Sequence, residues 1–258
     1  KNIIPAADGN HWFFTPERKI KLHQVAVNEI ENVPDIKIQS TDIKAFGFGS
    51  SYPVNFIEYP KNTIWVVSNR LQLLKIELNN KLQVIARKLI SLSDNSSGFS
   101  EQKFKKLAIA IDKKKKIWVA GNGTLLSYDT QTGEKLNLNS VNRKEIAIQQ
   151  AQQLMIDKTN ILWLGTLNHG LYKMDLENNS FLNSNEFSNT SEKKFPFFYE
   201  YPILSMCENS KGDIWIGTQG KGGLALLKEK EIKRNLLNMS NKVLDYNYLK
   251  KAYKQFND

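Results

Sequence analysis

All five tryptophans of this chain occur in the same local sequence context, and this repetition constrains the fold more than any other feature. The segments around them read "HWFF", "IWVV", "IWVA", "LWLG" and "IWIG", at intervals of 53, 53, 45 and 52 residues. Self-similarity at periods of about 20 to 50 residues is typical of repeat architectures. The repeats are marked by Trp12, Trp65, Trp118, Trp163 and Trp215.

Each repeat has the pattern of short antiparallel strands. An apolar segment such as "PILSMCE" precedes the tryptophan strand, and a Gly/Asn-rich turn leads to an alternating strand such as "LYKMD". A fourth strand usually follows. Four-stranded sheets repeated about an axis form a β-propeller. We therefore predict an all-β propeller of four-stranded blades over residues 1–236, with five visible repeats that form either a closed ring or part of a larger one.

The tail, residues 237–258, has a different pattern. In "VLDYNYLKKAYKQF", Leu244 and Tyr248, and also Leu249, Tyr253 and Phe256, recur at helical steps. We predict an amphipathic helix or a linker here. The residues from 231 onward also permit a last strand or a helix packed against the ring.

The glycine-rich stretch "GTQGKGGL" (217–224) is a poor phosphate loop. Lys221 is followed by Gly222 rather than by the Ser or Thr that would bind magnesium, and an alternating strand follows instead of a helix. The glycines are Gly217, Gly220, Gly222 and Gly223. They are predicted to permit the positive φ angles and close backbone approach of a strand reversal.

Charge is the next feature with functional implications. The net charge is +10, and the densest basic run is "KKKK" at 113–116. Other repeats have "PKNT", "KTN" and "SKG" in the same turn, so we expect a solvated hairpin tip. Aromatic residues for base stacking do not alternate with these lysines. We therefore expect no nucleic-acid partner.

The acidic residues follow the repeat as well. A carboxylate precedes each tryptophan by a few residues, at Asp8, Glu58, Asp112, Asp157 and Glu208. Such residues accept backbone N–H bonds in tight turns, whereas a catalytic pair would break the repeat. We predict no catalytic residue, and we expect the tryptophans to pack between neighbouring sheets.

The sequence does not indicate a metal site or a redox-active residue. His11, His23 and His169 lack ligand spacing, so we predict no metal site and no cofactor. Cys207, the single cysteine, is expected to be a small buried apolar residue. No apolar run is long enough for a membrane helix, and no signal-peptide core is visible. The chain is thus expected to be cytoplasmic, already processed or an excised fragment.

Two segments, "ILWLGTLNHGLYKMD" (161–175) and "DIWIGTQGKGGLALL" (213–227), resemble the two-component regulator propeller repeat. The third repeat matches fairly, and the first two match only around the tryptophan. The resemblance implies a periplasmic or extracytoplasmic sensor region of a hybrid histidine kinase, without catalytic activity. It further implies a carbohydrate or other small polar ligand, a possible homodimer through the receptor context, and no direct membrane insertion of this chain.

Ligand recognition is expected where the repeats differ, on the loops that follow the tryptophan strands. These positions would form a polar, partly basic rim suited to a hydroxylated or anionic ligand. The residues are Arg18, Arg70, Asn122, His169, Gln219 and Lys221. The connection 185–200 adds aromatic side chains that either stack on sugar rings or cap a core, at Phe197, Phe198 and Tyr199.

Two other functions are compatible with the fold. A propeller glycosidase or lyase would need carboxylates outside the repeat register, for which Asp94, Glu186 and Glu192 are the candidates. A protein-interaction scaffold is the third possibility, since fold alone does not define function.

Overall fold

The structure, a computed structural model, describes residues 3–5, 11–14, 20–25, 30–32, 52–92, 104, 106–121, 123–137, 150–168, 170–177, 180–183, 201–219 and 223–228. The regular elements in these ranges are β-strands, so the predicted all-β class is confirmed. No helix within them has the length and hydropathy needed to cross a bilayer. The chain divides into two compact units, Lys1–Ile109 and Ala110–Asp258. The predicted tail, residues 237–258, lies outside the described residues.

The first unit contains two four-stranded antiparallel sheets, each with its strands in sequence order. Sheet 1 consists of β1 (Ile3–Pro5), β2 (His11–Phe14), β3 (Ile20–Val25) and β4 (Ile30–Asn32). Sheet 2 consists of β5 (Pro53–Glu58), β6 (Thr63–Ser68), β7 (Gln72–Leu78) and β8 (Val84–Ser91).

The second unit repeats this architecture. Sheet 3 consists of β9 (Ala108–Ile111), which spans the boundary between the units, β10 (Lys116–Gly121), β11 (Thr124–Asp129) and β12 (Lys135–Asn137). Sheet 4 consists of β13 (Ala151–Ile156), β14 (Ile161–Thr166), β15 (Leu171–Asp175) and β16 (Ser180–Asn183). In sheet 5 the described strands are β17 (Ile203–Glu208), β18 (Ile214–Thr218) and β19 (Leu224–Leu227).

Each sheet has two distinct faces, because successive side chains of a strand point to opposite sides. We call the side that carries the tryptophan the tryptophan face, and the other side the leading face. Trp12 of sheet 1 packs with Phe56 and Ile64 on the leading face of sheet 2. Trp163 of sheet 4 packs with Ile214 on the leading face of sheet 5. The predicted packing of tryptophans between neighbouring sheets is confirmed at these two positions.

In the fourth repeat, Gly165 and Thr166 end the strand of Trp163, and Gly165 allows this close packing. A Cβ added to Gly165 would overlap the Cγ2 atom of Ile203 and lie 2.9 Å from its Cβ. At Gly217, the equivalent residue of sheet 5, an added Cβ would instead meet the hydroxyl of Ser205, its cross-strand partner in the same sheet. Gly165 is therefore needed for the close approach of the two sheets, whereas the turn glycine Gly223 has a positive φ of 65°.

Candidate ligand-binding face

The hairpins between the second and third strands lie beside the entrance to the first strand of the same sheet. We call these the second hairpins. In three sheets, the N–H of the first hairpin residue donates to the carbonyl of the residue that precedes the first strand. These bonds join Asn69 to Tyr52 (2.9 Å), Leu167 to Gln150 (3.0 Å) and Gln219 to Pro202 (2.9 Å). The second hairpin and the segment that enters the first strand thus lie at the same end of each of these three sheets.

A side-chain hydroxyl closes each of these hairpins. The hydroxyl of Thr166 donates to the carbonyl of Gly170 at 2.8 Å, and that of Thr218 donates to the carbonyl of Gly223 at 3.1 Å. In sheet 2 the hydroxyl of Ser68 instead accepts the N–H of Gln72 at 3.3 Å. Thr166 and Thr218 therefore hold their hairpins in shape, and Ser68 occupies the equivalent position in sheet 2.

The first strands carry an irregularity at the same end. The register shifts between Pro53 and Asn55, between Ala151 and Gln153, and between Ile203 and Ser205. A bulge re-aims the side chains around it and is frequent beside functional sites. The three first strands thus deviate from regular pairing where they meet the second hairpins.

Amide side chains dominate this end of sheet 4. Asn168 is exposed on the second hairpin, and its amide nitrogen donates to Oε1 of Gln150 at 3.0 Å. On the second hairpin of sheet 5, Gln219 is exposed. Because β13 contacts β17 and each hairpin is held at the entrance of its own first strand, both hairpins are at the same end of adjacent sheets. Amides offer both donors and acceptors without charge, which suits a ligand rich in hydroxyl groups.

Two of the predicted rim residues are described by the structure, one in each unit. Arg70 lies on the second hairpin of sheet 2, is half-buried, and donates its backbone N–H to the Ser68 hydroxyl at 3.3 Å. Gln219 is exposed, as described above. The other predicted rim and loop residues lie outside the described residues: Arg18, Asn122, His169, Lys221, Phe197, Phe198 and Tyr199. The same holds for the candidate acids of the enzyme alternative, Asp94, Glu186 and Glu192.

The sequence reasoning did not identify Gln150 or Asn168 as members of this face. Gln150 immediately precedes a first strand. Its position just ahead of a first strand is a usable signal, because the entry of each first strand lies beside a second hairpin. Asn168 lies next to the predicted His169 in the same hairpin.

At the opposite end of the sheets, acidic residues organise the turns between first and second strands. Asp157 accepts the N–H of Ile161 at 3.0 Å and the indole N–H of Trp163 at 2.8 Å. Asp112 does the same for the N–H of Lys116 and the indole of Trp118, both at 2.8 Å. The predicted role of these two acids in turns is confirmed.

The other two described acids of this series, Glu58 and Glu208, link neighbouring sheets. Glu58 and Glu208 lie one residue further from their tryptophans and therefore point to the leading face. Glu58 accepts the N–H of Asn62 in its own turn and also binds the indole of Trp12 in sheet 1. Glu208 accepts the N–H of Lys158 from the turn of sheet 4 at 2.8 Å. The predicted turn contact is therefore confirmed for Glu58, which adds a link to sheet 1, and is wrong for Glu208, whose bond is to the turn of the neighbouring sheet.

In the fifth repeat, Asn209 replaces the turn aspartate. Its side-chain oxygen accepts the N–H groups of Lys211 and Asp213, both at 2.9 Å. Asn209 thus provides the turn contacts that the sequence analysis assigned to Glu208.

The lysine-rich turn is a hairpin tip, as predicted. Lys113, Lys114 and Lys115 are exposed in the turn between β9 and β10. Lys114 donates to Oε2 of Glu177 at 2.9 Å. This ion pair raises the pKa of Lys114, and together with a hydrogen bond from Asn160 it lowers the pKa of Glu177.

A buried lysine lies opposite the tryptophan of sheet 4. Lys173 is the cross-strand partner of Trp163 and is 6% exposed. Burial lowers the pKa of Lys173, while the nearby carboxylates of Asp157 and Asp175 act in the opposite direction. Sheet 2 has the same pairing, with the ammonium of Lys75 5.6 Å from the ring centroid of Trp65.

Cys207 is exposed, which corrects the prediction of a buried cysteine. It lies on the tryptophan face of sheet 5, directly opposite Trp215. Trp215 itself is half-buried, whereas Trp12 and Trp163 are 1% and 5% exposed. Within the described ranges, no group of three or more His, Cys, Asp or Glu side chains could hold a metal ion.

Comparisons with known proteins agree with this architecture. Residues 200–220 match the model of the family described as "Two component regulator propeller". This stretch contains β17 and β18 with the turn between them. A comparison with curated protein sequences gives no significant match.

Solved structures share the fold at low sequence identity. The extracellular domain of the hybrid two component system protein BT4673 from B. thetaiotaomicron is 16% identical over 88% of this chain and 28% of that chain, with a TM-score of 0.56. For PorZ, a surface component of the type-IX secretion system of Porphyromonas gingivalis, the identity is 13% over 94% of this chain and 33% of that chain, with a TM-score of 0.60.

A further similar structure is the extracellular domain of the hybrid two component system protein BT3049 from B. thetaiotaomicron. It is 12% identical over 92% of this chain and 34% of that chain, with a TM-score of 0.50. The chain therefore spans about a third or less of the length of these solved chains. The resemblance seen in the sequence is confirmed for the fifth repeat, where residues 200–220 match the family model, and the sheets share the β-propeller fold of these solved structures.

Proposed function

We propose that this chain is a non-catalytic, ligand-sensing propeller of a two-component-type signalling receptor, located outside the cytoplasm. The family match and the similarity to extracellular domains of hybrid two component systems support this proposal. Residues of the second hairpins bind the ligand, and the sheets behind them act as a rigid scaffold. No chemical step is assigned to this face.

The ligand is a carbohydrate or another small polar molecule. The observation that carries this proposal is the pair of adjacent second hairpins in sheets 4 and 5, which present Asn168 and Gln219 to solvent at one end. Hydrogen bonds from Thr166 and Thr218 hold these hairpins in shape before any ligand arrives. A preorganised site binds with less loss of conformational entropy.

Aromatic side chains complete a typical sugar site, since ring faces pack on the apolar side of a sugar. Tyr201 is half-buried two residues before β17, next to Pro202, whose carbonyl accepts the N–H of Gln219. The predicted Phe197, Phe198 and Tyr199 precede it in the chain. Together with the amides they suit a neutral oligosaccharide better than a strongly anionic one.

Calorimetric titration and thermal-shift measurements with a panel of neutral and anionic oligosaccharides test this proposal. The three proteins are the wild type, the double variant Asn168→Ala/Gln219→Ala, and a control, Lys211→Ala, at the opposite end of sheet 5. We expect the double variant to lose at least about tenfold in affinity, while the control binds like the wild type. Ligand at 100 times its dissociation constant should stabilise the wild type by about 2.7 kcal/mol.

Two results would contradict the proposal. Binding that is equally strong in the double variant would exclude the second hairpins of sheets 4 and 5 as the site. A folded wild-type protein that binds none of the glycans at millimolar concentration would overturn carbohydrate sensing.

A further inference from the structure

Gln150, which directly precedes the first strand of sheet 4, has a strained backbone conformation. Its φ angle is 56°, in the left-handed region that is unfavourable for a residue with a side chain. At the equivalent place before β17, the ring of Pro202 fixes a negative φ, so the strain is not a general requirement at the start of a first strand. The other described non-glycine residues with a positive φ lie in turns between two strands of one sheet: Asn62, Leu71, Leu82, Lys115 and Asn160.

Three hydrogen bonds hold Gln150 in this conformation. Its carbonyl accepts the N–H of Leu167 at 3.0 Å and the side-chain amide of Gln152 at 3.4 Å. Its side-chain oxygen Oε1 accepts the amide of Asn168 at 3.0 Å. The strained residue is thus bound by its backbone and by its side chain to the second hairpin of sheet 4. Strained residues that their surroundings hold in place in this way cluster at ligand sites.

The bond to Gln150 determines which atoms of Asn168 face a ligand. A side-chain amide accepts hydrogen bonds at its oxygen and donates them from its nitrogen. Because the nitrogen of Asn168 donates to Gln150, its oxygen Oδ1 points elsewhere, and among the described residues this oxygen has no hydrogen-bond partner. The exposed Asn168 therefore offers an acceptor, which binds a hydroxyl group but not a carboxylate, since a carboxylate has no hydrogen to donate.

Sheets 2 and 5 use the equivalent positions differently. In sheet 5 the residue before the first strand is Pro202, whose side chain cannot accept a hydrogen bond from a hairpin amide. In sheet 2 the side-chain oxygen of Asn69 accepts the N–H of Tyr52 at 2.8 Å, and Asn69 is buried. The hold on an exposed hairpin amide is thus a property of sheet 4 and not of the repeat.

We propose that Gln150 is a positioning residue of the ligand-binding face. It holds Asn168 with Oδ1 turned towards the ligand, so that this face accepts a hydrogen bond from a sugar hydroxyl and favours neutral sugars over uronates. This inference rests on the proposed function, because it assigns a role within the same site. The strained backbone of Gln150 brings its side chain to the hairpin, and Gln150 acts on the ligand through Asn168.

Calorimetric titration of matched variants tests this role, with the neutral tetrasaccharides of glucose, xylose, mannose and galactose as probes. Gln150→Met keeps the length of the side chain but removes the acceptor, whereas Gln150→Glu keeps an acceptor. The control Gln131→Met makes the same change at an exposed turn at the opposite end of sheet 3. For the probe that binds the wild type best, we expect Gln150→Met to weaken binding at least about fivefold. Gln150→Glu and Gln131→Met should bind within about twofold of the wild type.

The side-chain amide of Asn168 gives a readout that needs no ligand. Its hydrogens are identified in a nitrogen–proton NMR spectrum by the loss of their signals in Asn168→Asp. We expect these hydrogens to exchange with water at least about fivefold faster in Gln150→Met than in the wild type. In Gln150→Glu they should exchange no faster than in the wild type.

Gln150→Gly separates positioning from a purely structural role, because glycine adopts a positive φ without strain. Its midpoint of thermal unfolding should not fall below that of the wild type, while its affinity for the probe should fall as in Gln150→Met. This variant also provides the comparison if Gln150→Met does not fold.

The proposal is overturned if Gln150→Met binds the probe as tightly as the wild type, or if Gln150→Glu weakens binding as much as Gln150→Met. Unchanged amide exchange of Asn168 in Gln150→Met overturns it as well. A wild type that binds none of the probes contradicts the proposed function, and the amide exchange then still decides whether Gln150 orients Asn168. Loss of binding in Asn168→Ala/Gln219→Ala with full binding in Gln150→Met would retain the site and refute the role of Gln150.

Discussion

The indole N–H of Trp12 in sheet 1 donates a hydrogen bond of 2.8 Å to Oε2 of Glu58 in sheet 2. Trp12 is also packed into the apolar cluster of sheet 2, so one side chain joins the two sheets by both polar and apolar contacts. The other carboxylate oxygen of Glu58 accepts the N–H of Asn62 in the adjacent turn. Glu58 therefore connects the first interface of the chain to a turn of the second sheet.

Replacing Glu58 with alanine is expected to destabilise the protein by about 1.5 to 3 kcal/mol, because a charged acceptor of two hydrogen bonds is lost. Urea unfolding of Glu58→Ala and of the exposed control Glu134→Ala measures the difference. A double-mutant cycle with Trp12→Phe should give a coupling energy above about 0.5 kcal/mol. Strictly additive effects would show that the indole bond contributes nothing.

Gly165→Ala is expected to destabilise the protein by about 1 to 3 kcal/mol, because the added methyl group overlaps Ile203. Sheet 3 has Ala120 at the equivalent position, so the repeat itself tolerates alanine there. Combining Gly165→Ala with Ile203→Ala should cost less than the sum of the two single variants, as measured by chemical denaturation. A fully additive double variant would indicate that the two residues do not collide.

The buried Lys173 should make the free energy of unfolding depend on pH in the alkaline range. Burial lowers its pKa in the folded state below the ordinary value of 10.5, so the unfolded chain binds the proton more tightly. Stability should therefore rise as the pH increases from below the folded pKa towards 10.5. Lys173→Met should flatten this rise in urea unfolding measured between pH 7 and 10.5, and Lys88→Met, at an exposed site, should not. An unchanged alkaline profile in Lys173→Met would contradict the prediction.

The Lys114–Glu177 ion pair should contribute to stability near neutral pH, and this contribution should be lost at both acid and alkaline pH. The pKa of Glu177 is lowered, so its contribution is present above the ordinary value of 4.5 and is lost as the pH falls through the folded pKa. The pKa of Lys114 is raised, so its contribution is complete below 10.5 and is lost above that value. Because both groups are on the surface, we expect a small effect that disappears at high salt. Thermal unfolding of Glu177→Gln between pH 3 and 5, with and without about 1 M salt, tests this. A pH profile identical to the wild type at low salt would refute it.

Much of the fold could be predicted because side-chain alternation in a strand is local. The apolar residues around Trp65, Trp163 and Trp215 alternate or run together over a few positions, which identifies the second strands and the turns that flank them. The predicted strand around Trp215 is observed as β18 (Ile214–Thr218), and the predicted strand before it is observed as β17 (Ile203–Glu208). The residues of the second hairpins could also be located, since Gln219 and Arg70 follow directly after these strands.

The sequence by itself determined the repeat, the strand order within each sheet and the face on which each tryptophan lies, because these depend on spacing along one short segment. Only the tertiary structure decided which carboxylate serves a turn and which links two sheets. Asp157 and Glu208 differ by one position relative to their tryptophans, and one position reverses the side of the strand. The exposure of Cys207 and the pairing of Asn168 with Gln150 were likewise decided in three dimensions, since each depends on which residues distant in sequence come to lie next to it.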